Sequence, residues 1–118
     1  VAQAAMGADV LIHEALQPRL VAGITRGLAA SGQKRTAQIT RDILNYHTTP
    51  EQAADLARKA GVKELVLTHI APPLPSRLFH AAFLGDAPER FDGRIRIADD
   101  GLVLHLPAGS RAIAADRL

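Results

Sequence analysis

The sequence has 118 residues, the size of one small domain, and its 47% hydrophobic content is that of a folded globular protein. Lys and Arg (14) barely outnumber Asp and Glu (12), so the net charge of +2 gives no case for nucleic-acid binding from composition alone. The absence of cysteine excludes disulfides and thiolate ligands, so a metal would be bound by His and carboxylates. No apolar run approaches the roughly 18 residues of a membrane-spanning helix, and no membrane partner is expected.

The first third of the chain predicts an α/β order of elements. A strand pattern over residues 9–12 ends at His13 and Glu14, and Pro18 suits the first turn of a following helix. The chain opens inside a helical pattern, which suggests that an upstream region is missing. The predicted helices are residues 1–6, 19–30 and 33–46.

The most strongly predicted element is a helix that begins after Thr49. Thr49, Pro50 and Gln52 form the pattern of a capping box with proline in the first turn, and Gly61 ends the helix. A strand over residues 64–68 follows and ends at His69. Two strands connected through helices predict a parallel sheet.

The last third predicts a loop, a short helix and a hairpin. Prolines after His69 indicate the loop, and residues 77–85 fit a short helix. Residues 94–97 alternate strictly and Asp100-Gly101 is typical of a tight turn, so residues 94–106 predict a β-hairpin. The Ala-rich tail from residue 107 is expected to fray or to form a loose helix.

Several polar residues are predicted to converge at one edge of the sheet. Ligands of open α/β sheets bind beyond the carboxyl ends of the strands, where His13 and His69 would emerge. His47 precedes the capped helix, whose N-terminal N–H groups favour an anion. The expected pocket consists of His13, Glu14, His47, Thr48, Thr49 and His69.

Each of these features also has a simpler explanation. Capping alone accounts for Thr49, and Glu14 has Arg19 available as a surface ion-pair partner. A histidine after a strand, such as His13, is more often a hydrogen-bonded loop residue than a ligand. Residue positions alone therefore leave the active-site hypothesis open.

Three segments, in order, resemble the ribonuclease Z-like and arylsulfatase-like branch of the metallo-β-lactamase superfamily. Residues 7–15 are similar to the family's strand that ends in a His-Glu-Ala-Thr motif. His47-Thr48-Thr49 resembles its His-Ser-Thr loop, and residues 61–69 resemble its final metal-ligand strand. The resemblance covers about residues 1 to 106.

The resemblance implies the fold class α/β, as the C-terminal half of a four-layer αββα sandwich. Residues 1–118 would be the C-terminal part of one domain, whose N-terminal half carries a His-x-His-x-Asp-His motif absent from this chain. The family site binds two divalent metal ions, zinc first, with manganese or iron as alternatives. The implied roles are metal ligand for His69, catalysis for His47 and Glu14, and substrate binding for Thr48, Thr49 and His13.

The sequence departs from the family pattern at two motifs. Leu16 stands where the His-Glu-Ala-Thr motif has threonine, and residues 70–74 replace a Phe-Ser-x-Arg-Tyr continuation. These departures favour a metal-dependent hydrolase of a smaller phosphate or sulfate ester. A tRNA 3′-processing endoribonuclease is the alternative, and a non-catalytic α/β module that binds a partner or an anion is the alternative from another class.

The expected partners follow from the same interpretation. Because one histidine cannot hold a catalytic metal centre, the chain alone is expected to be inactive without the other half of its domain. A small anionic ester substrate and a homodimer are expected, and nucleic acid is not favoured. A cytoplasmic location is favoured, although a leader peptide would lie before Val1.

Overall fold

A three-stranded parallel sheet and a separate two-stranded antiparallel sheet organise the computed structural model, which describes residues 1–118. None of the helices combines the length and apolarity that crossing a bilayer requires. The helices are α1 (Ala2–Ala5), α2 (Pro18–Ala30), α3 (Lys34–Asp42), α4 (Pro50–Ala60), α5 (His80–Leu84) and α6 (Ala87–Arg90), with 3-10 helices at Ile43–Asn45 and Arg77–Phe79. The strands are β1 (Val10–Leu16), β2 (Glu64–Ala71), β3 (Arg94–Ile97), β4 (Leu102–His105) and β5 (Ala114–Arg117).

The parallel sheet has the order β1-β2-β3, which confirms the parallel arrangement predicted for the first two strands. Val10 lies opposite Glu64, and this register continues to the pair Glu14 and Thr68. Residues 64–67 of β2 are all buried, as expected for a central strand with a neighbour on each side.

Helix α4 packs on the sheet through small side chains. Its four buried alanines, residues 53, 54, 57 and 60, share one hydrophobic core with Leu11, Leu65 and Leu67. Because an alanine side chain is short, the helix axis can approach the strands closely. Phe83 and Phe91 fill the remaining space in this core.

The predicted capping box of α4 is confirmed. The Gln52 amide N–H donates to Thr49 Oγ1 at 3.1 Å, and the Thr49 N–H donates to Gln52 Oε1 at 2.9 Å. Gly61 ends the helix in the left-handed conformation, with φ of 69°, which favours glycine. The first turn of α4 is thus held in place directly beside the histidine at residue 47.

The predicted β3–β4 hairpin is wrong. β3 pairs in parallel with β2, and β4 pairs in antiparallel fashion with β5, so the chain leaves the main sheet between them. The alternation in β3 has another cause, because Ile95 and Ile97 pack against the core while Arg96 forms an ion pair with Glu64. The Asp100-Gly101 turn is present, but it connects two different sheets.

The tail and two helical segments also differ from the prediction. Residues 114–117 form β5 instead of a loose helix, because their backbone groups pair with β4. The helix predicted over residues 33–46 ends at Asp42, as α3, and continues as a 3-10 turn, and residues 77–85 divide into a 3-10 turn and α5. Both main strands are longer than expected, so His13 and His69 lie within strands and do not follow them.

We expect the variant Leu67→Ala to lower the free energy of unfolding by about 3 kcal/mol, because it leaves a cavity between β2 and α4. Urea denaturation followed by circular dichroism measures the change. Ile39→Ala is the control, since this α3 side chain is 55% exposed and its loss should cost less than about 0.5 kcal/mol. Equal losses in the two variants would contradict the proposed position of the core.

Candidate functional site

The Glu14 carboxylate connects β1 to the loop that precedes α4. Its Oε2 lies 2.9 Å from His47 Nδ1, and its Oε1 accepts the Thr48 amide N–H at 2.8 Å. Each carboxylate oxygen therefore accepts a hydrogen bond from one of two consecutive loop residues. The contact joins residues that are 33 positions apart in the sequence, and it fixes the imidazole against the sheet edge.

The hydrogen bond to Glu14 determines which nitrogen of His47 is free to react. Because a carboxylate only accepts, Nδ1 carries the proton in this contact and Nε2 is left for another partner. The His47 and Glu14 side chains keep 26% and 30% of their exposure, so the ring is supported from behind and still reachable by a small molecule. This arrangement suits an imidazole that exchanges a proton through Nε2.

The surroundings of Glu14 favour its ionised form. Partial burial raises the pKa of this carboxyl, but the hydrogen bonds from the Thr48 amide and from His47 more than offset it, so the pKa lies below its ordinary value. Glu14 therefore stays an acceptor near neutral pH, which keeps the Nδ1 proton of His47 in place.

His69 lies at an irregularity in β2. Between the pairs Glu14–Thr68 and Leu16–Ala71, β1 advances by two residues and β2 by three, which is a β-bulge. His69 has a φ of 44°, the only positive value outside glycine in the chain. Strict alternation after Leu67 would direct this ring into the core, whereas the bulge leaves it exposed.

The two imidazoles of His47 and His69 face the same region. Their ring centroids are 6.4 Å apart and their planes are inclined by 30°. Two separately positioned nitrogen heterocycles at this distance can contact different atoms of one small group, such as a phosphate.

The described residues do not complete a metal centre. No group of three or more His, Asp or Glu side chains is close enough to hold an ion. A catalytic zinc usually has three protein ligands, so His69 can supply only one of the set. The fit of residues 1–118 to a metal centre is therefore partial.

The remaining predicted site residues are not all brought together. Thr48 borders the Glu14–His47 pair through its backbone, while the hydroxyl of Thr49 is engaged in capping α4. His13 Nδ1 donates to the carbonyl of Glu14 at 2.8 Å, and alternation along β1 directs its ring to the opposite face from the Glu14 carboxylate. No hydrogen bond connects the His13 ring with the side chains of the other site residues.

Gln17 supports the site but was not identified from the sequence. Its side chain is 2% exposed and its Nε2 donates to the Phe83 carbonyl at 2.8 Å. Its N–H donates to the Ala71 carbonyl at 2.9 Å, and the Leu16 N–H donates to the Thr48 carbonyl at 2.8 Å. These bonds hold the ends of β1 and β2 and the His47 loop together. The only signal of this role in the sequence is that a polar residue directly precedes Pro18.

The overall arrangement matches a known fold. The metallo-β-lactamase fold protein YhfI from Bacillus subtilis superimposes on 98% of this chain with a TM-score of 0.53, at 20% sequence identity and over 34% of its own chain. The chain therefore has a metallo-β-lactamase fold, as its motifs predicted.

Comparison with proteins of similar sequence narrows the class of protein within the metallo-β-lactamase fold. No model of a known protein family matches the chain. Ribonuclease Z of Mycolicibacterium gilvum (strain PYR-GCK) is 37% identical over 97 residues, which are 81% of this chain and 29% of that protein. Ribonuclease Z of Mycobacterium avium (strain 104) is 34% identical over 96 residues, 81% of this chain and 30% of that protein.

Within the metallo-β-lactamase fold, the chain is ribonuclease Z-like. A third relative, ribonuclease Z of Mycobacterium tuberculosis (strain ATCC 25618 / H37Rv), is 32% identical over 99 residues, which are 83% of this chain and 32% of that protein. The chain thus spans about a third of the length of the curated relatives that it matches.

We expect Glu14→Gln to lower the free energy of unfolding at pH 7 by roughly 1–2 kcal/mol, because the carboxylate no longer receives charge-assisted hydrogen bonds. Since the folded-state pKa of Glu14 is lowered, its contribution is complete above the ordinary carboxyl value of 4.5. It is lost as the pH falls through the folded-state pKa. The difference between variant and parent should therefore shrink below pH 4.5 in urea denaturation.

Glu89→Gln is the matched control for this titration. The Glu89 side chain is exposed and forms no hydrogen bond or ion pair, so its replacement should leave stability nearly unchanged at every pH. A Glu14→Gln difference that stays constant from pH 7 to pH 3 would argue against an ionised Glu14 in the folded protein.

Proposed function

We propose that this chain is part of a metal-dependent hydrolase in which Glu14 and His47 form the proton-transfer pair and His69 is one metal ligand. The observation that supports the proposal most is that one carboxylate orients His47 while a bulge turns His69 toward the same region, 6.4 Å away. A bulge and an ion pair with purely structural roles would not need to bring these two imidazoles close together.

The part of the reaction that these residues would perform is proton donation. A phosphate or sulfate ester lies against His47 Nε2, and the bond from phosphorus or sulfur to the leaving oxygen breaks as water adds. The leaving oxygen takes the Nε2 proton of the doubly protonated ring, while Glu14 stabilises that ring through the Nδ1 proton. The ring recovers a proton from the water that has added to phosphorus or sulfur. The Thr48 region borders the bound oxyanion.

Metal ions would supply the other part of the chemistry. Two divalent ions, with zinc as the first candidate and manganese or iron as alternatives, would lower the pKa of a bound water and polarise the ester oxygen. The His69 imidazole is exposed and forms no intramolecular hydrogen bond, so it is free to coordinate such an ion.

The substrate class has two candidates. A small phosphate or sulfate ester fits the half-buried position of His47, which a short ligand can reach. A tRNA 3′-processing endoribonuclease is the second candidate, because the curated relatives are named ribonuclease Z. Both require cleavage at an ester oxygen, so the proton donor has the same task in each.

The remaining ligands would come from another part of the same domain. Because the chain spans about a third of its relatives, we propose that the rest of the protein supplies the His-x-His-x-Asp-His motif. We also propose that the complete protein is a cytoplasmic homodimer.

We expect His69→Ala in the full-length protein to lose turnover and about one metal equivalent per site, because an imidazole ligand is removed. Metal analysis and hydrolysis of a chromogenic phosphodiester measure the two effects. His105→Ala is the control, since this residue of β4 is exposed and its side chain forms no hydrogen bond or ion pair, so turnover and metal content should both be kept. Unchanged metal content in His69→Ala would count against the proposal and in favour of a non-catalytic module.

We expect His47→Ala to lower kcat by about 10²- to 10⁴-fold and to leave the metal content unchanged, because a proton donor and not a ligand is lost. Substrates with better leaving groups need less proton donation and should show a smaller loss. A loss of equal size for all leaving groups would contradict the assignment of His47 as the donor.

A further inference from the structure

We propose that the cleft between β3 and β5 is a docking site for an extended, acidic peptide segment, which inserts as a strand and pairs with the backbone of both. This β3–β5 cleft has a volume of about 510 Å³. Three consecutive residues of each strand line it, namely Ile95, Arg96, Ile97, Ala115, Asp116 and Arg117. Peptide binding there requires neither a metal nor hydrolysis, so the inference goes beyond the proposed function and does not depend on it.

The β3–β5 cleft lies between the edges of the two strands. Side chains alternate between the two faces of a sheet, so a cavity against a face would contact every second residue of a strand. Residues 95–97 and 115–117 line the cleft consecutively, as expected where the backbone edge borders it. β3 has β2 on its other side, and β5 has β4. The cleft therefore separates the open edges of the two sheets.

The backbone of β3 has unpaired groups on the cleft side. The Ala98 N–H donates to the Leu67 carbonyl at 2.8 Å, so in this parallel register residues 94, 96 and 98 bond to β2. The intervening residues direct both their N–H and their C=O groups to the opposite edge. Ile95 and Ile97 therefore offer two donors and two acceptors to the cleft.

The backbone of β5 offers matching groups. The Leu118 N–H donates to the Gly101 carbonyl at 2.9 Å, so the residues of β5 that bond to β4 are the even-numbered ones, 114 and 116. Ala115 and Arg117 therefore direct their backbone groups away from β4. Of these four groups, only the Arg117 N–H is occupied, because it donates to Asp116 Oδ1 at 2.7 Å.

The dimensions of the cleft suit one short strand. A residue in a sheet occupies roughly 160 Å³, given a rise of about 3.3 Å, a strand spacing of about 4.8 Å and a sheet spacing of about 10 Å. A volume of about 510 Å³ therefore accepts about three residues, which is the number that lines each side.

An isolated segment fits the β3–β5 cleft, and a second copy of the chain does not. A strand that enters has β3 on one side and β5 on the other, so both of its own edges must be free. Every strand of the chain is already paired along at least one edge. An extended segment without a sheet of its own meets this requirement, as in other examples of strand addition.

Two cations without internal partners favour an acidic segment. Arg77 and His80 border the cleft, and neither side chain forms an ion pair. The other two arginines of the cleft are already engaged, in ion pairs with Glu64 and Asp99. The remaining acid, Asp116, accepts the N–H of its neighbour. A carboxylate of the bound segment would therefore pair with Arg77 and His80.

Fluorescence anisotropy of a labelled pentapeptide with the full-length protein tests the backbone pairing. The probe, fluorescein-Thr-Val-Glu-Val-Thr-amide, should bind saturably. The same peptide with N-methyl groups on both valine amides keeps its charge and loses two ladder donors, so its Kd should be at least about tenfold higher. Equal binding of the two peptides, or no binding of either, would overturn the proposal.

Protein variants test the contribution of charge. Arg77→Gln/His80→Gln should raise Kd for the acidic probe about fivefold, and should leave Kd unchanged for a probe with glutamine in place of glutamate. Arg58→Gln/His105→Gln is the matched control, since both residues are exposed and lie outside the cleft. Circular dichroism confirms that each variant is folded. Equal weakening in the two variants would contradict the assigned position of the carboxylate.

Two further measurements separate peptide docking from catalysis and from simple anion binding. The probe should bind equally well to His69→Ala, so a failure of the hydrolase proposal can be told apart from a failure of this one. Unlabelled peptide should displace the probe, whereas acetate or inorganic phosphate at the same concentration should not. Displacement by a free anion as effective as that by the peptide would overturn the proposal.

Discussion

The Glu14 carboxylate is the contact on which the geometry of the site depends. It joins the edge of the parallel sheet to the start of α4, and it orients His47 through one oxygen and Thr48 through the other. The capping box fixes the same loop from its other side. A short loop held at both ends loses little conformational freedom when a ligand arrives, which is how a site becomes preorganised.

The same carboxylate also anchors the hairpin formed by α2 and α3. α2 and α3 lie in sequence between Glu14 and His47, so both ends of the hairpin are held by one interaction and by the backbone bonds of Leu16 and Gln17. The hairpin packs mainly on itself and buries few residues. The sequence of the hairpin can therefore change without disturbing the sheet.

The elements that depend on neighbouring residues in the sequence were predicted correctly. The capping residues around Thr49 and the buried run in β2 identified α4 and the strand, and the motifs at Glu14, His47 and His69 identified the fold class. The partner of β3 was not predictable from alternation, because the same pattern suits a hairpin and an edge strand in a parallel sheet. The bulge at His69 and the buried Gln17 depend on contacts between distant segments, which no local pattern contains.

The left-handed conformation of His69 implies a cost in stability. A non-glycine residue at this φ carries strain of about 1 kcal/mol, which glycine would relieve. Selection for thermal robustness alone would therefore tend to erase the imidazole. Keeping histidine at this position would therefore require a compensating advantage, such as the metal binding proposed above, and a change to glycine made for stability alone would forfeit it.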